Sequence, residues 1–569
     1  MRSSEAKADA GLGSRFTHWL VLIVTGFAIL APLAPVIYQS FLDAPLYDGG
    51  SFTLANYNEL LSSERMRQML ANTIAFSAMA TVIAVVLGIG VGFLVVRTDM
   101  PGRALLAGVF SWPLYTSALV LAFGWVIVYG PAGYVNGAVS QFLGLGGGSA
   151  WLYTLPGMAL VGGIAEAPLV YYFASRTLRS FNPALEEVAR TLGAHPLRIV
   201  WTVTIPLLRP AILYSVILVF VAALESLSIP LILGNPSGVE MFASFLYIEG
   251  LGRPNPNYGL LAAAAIAMIL VAVVLIWLQA RILGDRQKYV TVTGKATQPR
   301  QFSLGRTRWL VATLLAMFVT FASVIPILGI VLRSLTQILS PYVPILKALT
   351  FDNCIRLFST PSYVSSIQTS LVVALVGALI ATALAAAIGV VAHRSSFRFR
   401  RPLDFLSLAP RAIPAIVVSI GVFWAMFLFP ILEPLRGTLW ILVFAFTIRF
   451  LPLGIGVIVP ALMNIHKDLE SASRLAGASW LRSVTSITLR LSTPALIGAY
   501  IVLFSHFLRE YASAVYLISP GVNVMGTSML QLWDQGIAGT VAAFAMVQVL
   551  LGASVVLIGR KFKGANAHG

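Results

Sequence analysis

The sequence predicts an all-α, polytopic membrane protein of about twelve transmembrane helices, arranged as two parallel six-helix repeats. Three observations carry that prediction. The chain is 58% hydrophobic and only 10% charged over 569 residues, with mean hydropathy +0.87, a balance that soluble globular domains do not reach. It divides into twelve apolar runs, each near the roughly twenty residues that a bilayer demands of a helix. Its second half repeats its first: Asn56, Pro113 and Gly124 fall on Asn353, Pro410 and Gly421 at an offset of 297, and Pro168 falls on Pro452 at 284.

In chain order, a polar leader from Met1 to Arg15 precedes a first run at about Trp19–Tyr38, long for the apolar core of a signal peptide and read here as a retained anchor. Five runs follow near Leu70–Val96, Ala104–Tyr129, Thr154–Ser175, Ala211–Leu233 and Leu260–Leu283. The second set lies near Trp309–Leu332, Ile367–Ala392, Phe405–Phe429, Thr438–Ala461, Pro494–Ile518 and Ile537–Ile558. Between the sets, Gly284–Arg308 is polar, basic and too poor in apolar residues to span. The expected domains are therefore 1–283 and 309–569, joined by a cytoplasmic linker at 284–308. An even number of spans per half keeps both halves facing the same way, related by an axis along the membrane normal. The offset falls from 297 to 284 because Pro131–Tyr153 has only a short counterpart at Pro430–Gly437. Gly88–Gly92, reading GIGVG, is a small-residue patch that lets helices approach closely.

Lysine and arginine set the orientation. With the N-terminus inside, inner segments hold 28 of the 38 basic residues and outer loops seven, while acids divide evenly. The net charge of +17 is therefore a topology signal, reinforced by the anionic inner leaflet. It needs no nucleic acid to explain it. Both termini and the linker are expected in the cytoplasm.

Two inner loops repeat each other. At an offset of 284, Leu185, Glu186, Arg190, Gly193 and Arg198 fall on Leu469, Glu470, Arg474, Gly477 and Arg482. Each loop reads as two short helices joined at a glycine. In the first, Asn182 is a good N-cap, Pro183 suits the first helical position, and Glu186 and Glu187 lie where the helix dipole favours anions. Leu185, Val188 and Leu192 share one face, and Gly193 is placed to take the left-handed conformation that ends a helix. A second short helix is expected from about Pro196, closed by Pro206. A soluble DNA-reading helix-turn-helix has the same local pattern, but lipid-spanning segments on both sides argue against it.

The series Glu187, Ala189, Gly193, Val203, Ile205 and Pro206 resembles the signature loop of binding-protein-dependent ABC importer permeases. The resemblance covers essentially the whole chain. It implies a fused, two-domain permease subunit in a bacterial inner membrane, a transport subunit and not an enzyme. It implies that Glu186, Glu187, Ala189, Gly193 and Pro206, with Glu470, Ala472 and Gly477, dock two copies of a cytoplasmic ATPase. ATP is then used by that partner, and no cofactor is held in this chain. A periplasmic solute-binding protein would deliver its load at the outer loops Leu233–Gly250 and Ile518–Gly536. The second inner loop departs from the pattern, with Ser471, Ser473 and Arg490 at the positions of Glu187, Ala189 and Pro206, so asymmetric docking is expected. The fused layout and the stretch LREYASAVYLISPG at 508–521 are most similar to ferric-iron permeases, which makes Fe(III) the expected solute. Polyamine, thiamine, phosphonate and sulfate permeases share the same loop.

The chain carries no phosphate-binding Gly-x-x-x-x-Gly-Lys loop; its Gly294–Lys295 is followed by Ala296. Cys354 is the single cysteine, so neither an internal disulfide nor a cysteine zinc cluster can form. More telling are the charges inside apolar runs: Glu166, Glu225, Arg411, Arg449, Arg509 and Glu510. A charge at mid-membrane costs roughly 2.5–3.5 kcal/mol, so such residues face the bundle interior, either as mutual partners or as a translocation path. In the repeat alignment Glu166 falls one position from the partner of Arg449, and Glu225 falls on Arg509 or, with a gap, on Glu510. Opposite charges are thus expected at matching depths. Tyr171 and Tyr172, with the three glutamates, offer the hard oxygen donors that suit Fe(III). His506, inside a span, is either packing or part of the path. The rival reading is a twelve-span secondary transporter driven by an ion gradient, which would not need two matched docking loops.

Overall fold

The computed structural model describes residues 12–143, 150–180, 184–283, 301–340 and 343–565. The leader up to Gly11, the cap at Asn182–Pro183 and linker residues 284–300 lie outside the described residues. Among the described residues the regular elements are helical, and extended pairing is limited to isolated bridges. The first half runs α1 (Leu12–Gln39), α2 (Glu64–Arg97), α3 (Ala118–Tyr129), α4 (Leu155–Ser180), α5 (Ile205–Leu224) and α6 (Tyr258–Leu283). The second runs α7 (Arg308–Val319, continued by Ile325–Ser334), α8 (Pro361–Arg394), α9 (Ala415–Leu428), α10 (Leu439–Met463), α11 (Thr493–Arg509) and α12 (Ala538–Ala565).

Ten of these lie in stretches long and apolar enough to cross a bilayer, and α9 and α11 are limbs of pairs bent by 111° and 70°. The twelve stand where the apolar runs predict them. A third bent pair, 230–237 with 242–251 at 81°, corrects the sequence reading, which assigned it to an outer loop. Its Leu233, Phe242, Phe245 and Leu246 are buried, because the start of the second limb is drawn onto α2: the Phe242 N–H donates to Thr73 Oγ1 at 3.1 Å. In the other half the Met525 N–H donates to Ser370 Oγ at 2.8 Å, and helix Met525–Asp534 is buried in the same way. The helix within the expected delivery loop Ile518–Gly536 is thus also largely interior, while Pro520, Gly521 and Asp534–Gly536 at its ends are exposed.

The duplication is physical as well as textual. Asn56 Nδ2 donates to the Ser40 and Leu42 carbonyls at 3.0 and 2.8 Å, tying the entry to α2 onto the end of α1. Asn353 does the same for α8 and α7, through Ser334 and Thr336 at 3.2 and 3.0 Å. Gly88 also meets its expectation: a Cβ there would lie 2.5 Å from Val170 Cβ, so α2 and α4 are in backbone contact.

Each first span crosses to the other half: α1 packs along α9, and α7 along α3. The crossing is close because a glycine stands at each contact. A Cβ on Gly421 would lie 2.4 Å from the Pro32 carbonyl oxygen, and one on Gly124 2.9 Å from that of Pro326. Replacing Gly421 by alanine is therefore expected to cost about 1–3 kcal/mol through overpacking, read as a lower thermal midpoint of the purified protein. Gly456→Ala, where nothing lies within 4 Å of the new Cβ, is the control. Equal midpoints for the two variants would contradict the interlocked packing.

Candidate docking loops and intramembrane charge cluster

The two inner loops share one construction. Helices Ala184–Thr191 and Lys467–Leu475 end at Gly193 and Gly477, whose φ values are +79° and +88°. Only glycine takes that conformation without strain. The chain reversal is closed by Gly193 N–H to Arg190 O at 2.9 Å and Ala194 N–H to Ala189 O at 3.0 Å. The second loop repeats both bonds, Gly477 to Arg474 at 3.0 Å and Ala478 to Ser473 at 3.1 Å, the paired closure of a Schellman motif. Pro206 does not close the next helix as expected. The chain instead passes through a π turn at Val200–Thr204 and continues directly into α5. In the second loop the π turn at Val484–Thr488 leads to the 70° bend before α11.

Glu186 and Glu470 also depart from expectation. They do not face a partner; both are buried. Glu186 pairs with Arg97, the wholly buried last residue of α2, and accepts from Thr204 Oγ1 at 3.1 Å. Glu470 stands 3.5 Å from Arg394 at the end of α8 and accepts from Thr488 Oγ1 at 2.6 Å. A buried guanidinium needs a countercharge, and the loop glutamate supplies it. Glu187 remains exposed, as do Ala472, Gly193 and Gly477, while Ala189 and Pro206 are half-buried. Beside them stand exposed apolar residues of the face that Leu185, Val188 and Leu192 share: Val188 and Leu192, the latter 81% exposed, with Leu475 at 90% in the second loop.

Four of the charges inside apolar runs, Glu225, Arg411, Arg509 and Glu510, sit where helices break, while Glu166 and Arg449 lie within α4 and α10. The expected continuous spans at 104–129, 211–233, 405–429 and 494–518 are each interrupted. 3₁₀ turns at Trp112–Tyr115 and Ala409–Ala412 precede α3 and α9. α5 stops at Leu224 with Glu225 as its C-cap, and α11 stops at Arg509 with Glu510 as its C-cap. Hydropathy sees only apolar residues there, whereas Pro113 and Pro410 end helical hydrogen bonding.

Two arginines serve the carbonyls that those breaks release. Arg509 Nη1 donates across the halves to the Leu114 carbonyl and, at 3.5 Å, to that of Thr116. Arg449 Nη1 donates to Ile413 O at 3.1 Å, and its Nη2 pairs with Glu225 of the first half. Thr116 and Ile413 are repeat equivalents at the 297 offset. Glu510 accepts from Ser513 N–H at 2.8 Å. Glu166 makes no hydrogen bond or ion pair among the described residues; Arg509 and Glu225 are the charges within its electrostatic reach. Arg411 stands over the Tyr214 ring at 5.9 Å. Of the expected opposite charges, Glu225 and Arg449 meet, and Glu166 does not pair with Arg449.

His506 bonds the Val502 carbonyl within its own helix at 2.9 Å and lies against Phe450, which makes it packing. Tyr171 packs on Phe110 and Tyr172 on Phe173. No group of three or more His, Cys, Asp or Glu among the described residues could hold a metal ion, so the acids line the interface without converging.

A family model described as binding-protein-dependent transport system inner membrane component matches residues 84–287 and again 381–563. Its two starting points are separated by the same 297 that relates Asn56 to Asn353. The ferric transport system permease protein FbpB of Actinobacillus pleuropneumoniae is 24% identical, over 94% of this chain and 76% of that protein. The Fe(3+)-transport system permease protein FbpB 2 of Haemophilus influenzae is 21% identical over 95% of this chain and 97% of its own length. The sulfate transport system permease protein CysW of Synechocystis is 27% identical, over 45% of this chain and 89% of its own.

Because Arg449 serves a carbonyl and a carboxylate at once, its planar fork matters as much as its charge. Arg449→Met is expected to destabilise by about 2–4 kcal/mol by stranding Glu225. Arg449→Lys, which keeps the charge and loses the fork, should cost about half as much. Thermal midpoints of the purified variants give the order, and a lysine variant no better than methionine would contradict it.

Proposed function

This chain belongs to the family of binding-protein-dependent transport system inner membrane components, and on that premise we propose that it is the fused permease of an importer carrying ferric iron into the cytoplasm. Members of the family are transport subunits and not enzymes, and ATP is hydrolysed by a separate subunit. Family membership sets the ion-driven secondary transporter aside.

The observation that carries the coupling scheme is the matched pair of loops, each presenting an exposed helix stopped by a left-handed glycine. Two copies of a cytoplasmic ATPase take one loop each, at Glu187–Gly193 and Ser471–Gly477. The excess of basic residues in inner segments supports cytoplasmic termini and a cytoplasmic linker in the bacterial inner membrane. A periplasmic solute-binding protein docks on the opposite face, where Arg65 grips Glu240 through two bonds of 2.7 Å. Closure of the ATPases draws the loops together. Arg97–Glu186 and Arg394–Glu470 tie each loop to α2 or α8, while Thr204 and Thr488 stand just ahead of α5 and α11. The pull therefore reaches the broken ends of α5 and α11, where Glu225, Arg509 and Glu510 stand at the junction of the halves.

Two considerations favour iron. The two FbpB relatives described above align over nearly the whole chain and bear ferric names, whereas the sulfate relative aligns with 45% of it. Two of the cluster's three arginines, Arg449 and Arg509, are also committed to Ile413, Leu114, Thr116 and Glu225. An anion would have to take those donors away from carbonyls that lipid cannot satisfy. Glu166 offers unoccupied carboxylate oxygens of the kind hard cations take.

Two experiments test the scheme. Glu187→Lys should lower solute-stimulated ATP hydrolysis about tenfold in the assembled complex, and Ser471→Lys less; equal loss would remove the asymmetry of docking. Glu166→Gln breaks no hydrogen bond or ion pair among the described residues and leaves Glu510 within electrostatic reach of Arg509, so the complex should assemble normally while Fe(III) uptake per complex in membrane vesicles falls about tenfold or more. Unchanged uptake in both Glu166→Gln and Glu510→Gln would end the reading of this cluster as the iron path.

A further inference from the structure

The last residues of the linker do not simply lead into α7. Phe302 lies beside the end of α2, where its N–H donates to the Arg97 carbonyl at 2.7 Å and its carbonyl accepts the Asp99 N–H at 3.3 Å. Asp99 holds the next two residues, accepting from the Leu304 N–H at 2.8 Å and the Ser303 hydroxyl at 3.2 Å. The Leu304 bond keeps the Asp99 carboxyl below the ordinary carboxylate range. The Phe302 ring sits 4.6 Å from the Arg190 guanidinium of the first docking helix, 5.8 Å from that of Arg97 and 5.8 Å from the Phe93 ring.

The second half satisfies the equivalent carbonyl differently. Arg394 is the repeat partner of Arg97, and its carbonyl accepts from Trp480 Nε1 at 3.1 Å. Trp480 belongs to the second loop itself and is buried under His18 of α1. The first loop has Pro196 at the position of Trp480, which has no donor to give. The second loop is thus braced from within, and the first by the end of the linker that leads into the opposite half.

We propose that Gln301–Leu304 is a positioning latch: Phe302, anchored through Asp99, orients Arg190 and the Arg97–Glu186 pair so that the first docking helix is presented to its ATPase. The ring offers its face to two cations that would otherwise stand side by side, and the backbone bonds fix where the ring lies. The latch makes presentation of one loop depend on how the start of the other half is seated. This inference rests on the docking role proposed above for the loop.

The test uses the full chain assembled with its ATPase in proteoliposomes, carrying Cys354→Ser and a spin label at Thr191→Cys on the first loop or Ala476→Cys on the second, both exposed positions. Phe302→Ala should raise label mobility at Thr191 and leave that at Ala476 unchanged, with solute-stimulated ATP hydrolysis falling about three- to tenfold. Phe302→Trp should restore both readouts. Unchanged mobility at Thr191 would overturn the latch, and so would equal loosening of both loops, which marks a general loss of packing. Higher mobility at Thr191 with undiminished ATP hydrolysis would uphold the latch and overturn the docking role instead.

Discussion

A backbone carbonyl inside a bilayer has no water to turn to, and leaving one bare costs several kcal/mol. That constraint explains more of this molecule than any other. α3 and α9 start from 3₁₀ turns, and α5 and α11 stop before the ends of their apolar runs, at Glu225 and Glu510. Arg509 and Arg449 answer carbonyls of those breaks, and each arginine then needs negative charge nearby. Glu225 supplies it to Arg449 directly, and Glu166 and Glu510 stand within electrostatic reach of Arg509. The six charges inside apolar runs are therefore not scattered exceptions to hydropathy. Most of them are consequences of the breaks.

The breaks also divide the bundle into parts that move and parts that transmit. α2 and α8 each run 34 residues without interruption and end in the buried arginines that hold the loop glutamates. α5 and α11 begin in π turns and end in unwound caps. A π turn displaces the helical register, so it is a place where a helix can change direction at low cost. In the second half it precedes a sharp bend, and in the first half the chain passes on unbent. Rigid pillars with a buried ionic joint at the base, beside helices hinged at both ends, can convert a push on a loop into motion at the centre.

What the sequence disclosed was local or repeated. Gly193 and Gly477 were readable because a left-handed stop is a one-residue requirement, and Asn56 and Asn353 because the repeat marks them twice. The spans were readable from length and hydropathy. The breaks were not, since a bend among apolar residues leaves mean hydropathy untouched; Pro113, Pro410 and the charges themselves were the available signals. Glu186 and Glu470 were misjudged because a first-turn glutamate satisfies the helix dipole whether it faces out or in. Their partners lie 89 residues away at Arg97 and on the other side of a span at Arg394. Helices 242–251 and 525–534 hid in outer loops because ten residues are too few to read as a span.

The Arg97 and Arg394 carbonyls show how duplication and divergence differ in their reach. Both carbonyls end a pillar, both lie beneath a docking loop, and both need a donor. Trp480 meets the need in one half with an indole N–H that brings its own apolar bulk. Pro196 cannot, and the need passes to the backbone of Phe302, at the end of the linker just before the second half. A fused chain holds that start close at all times, because the linker caps its distance from α6. In a pair of separate half-length chains the same bond would form only on assembly. Fusion thus converts an encounter between two halves into a standing contact beneath one loop, and so gives the linker's end a structural use beyond tethering.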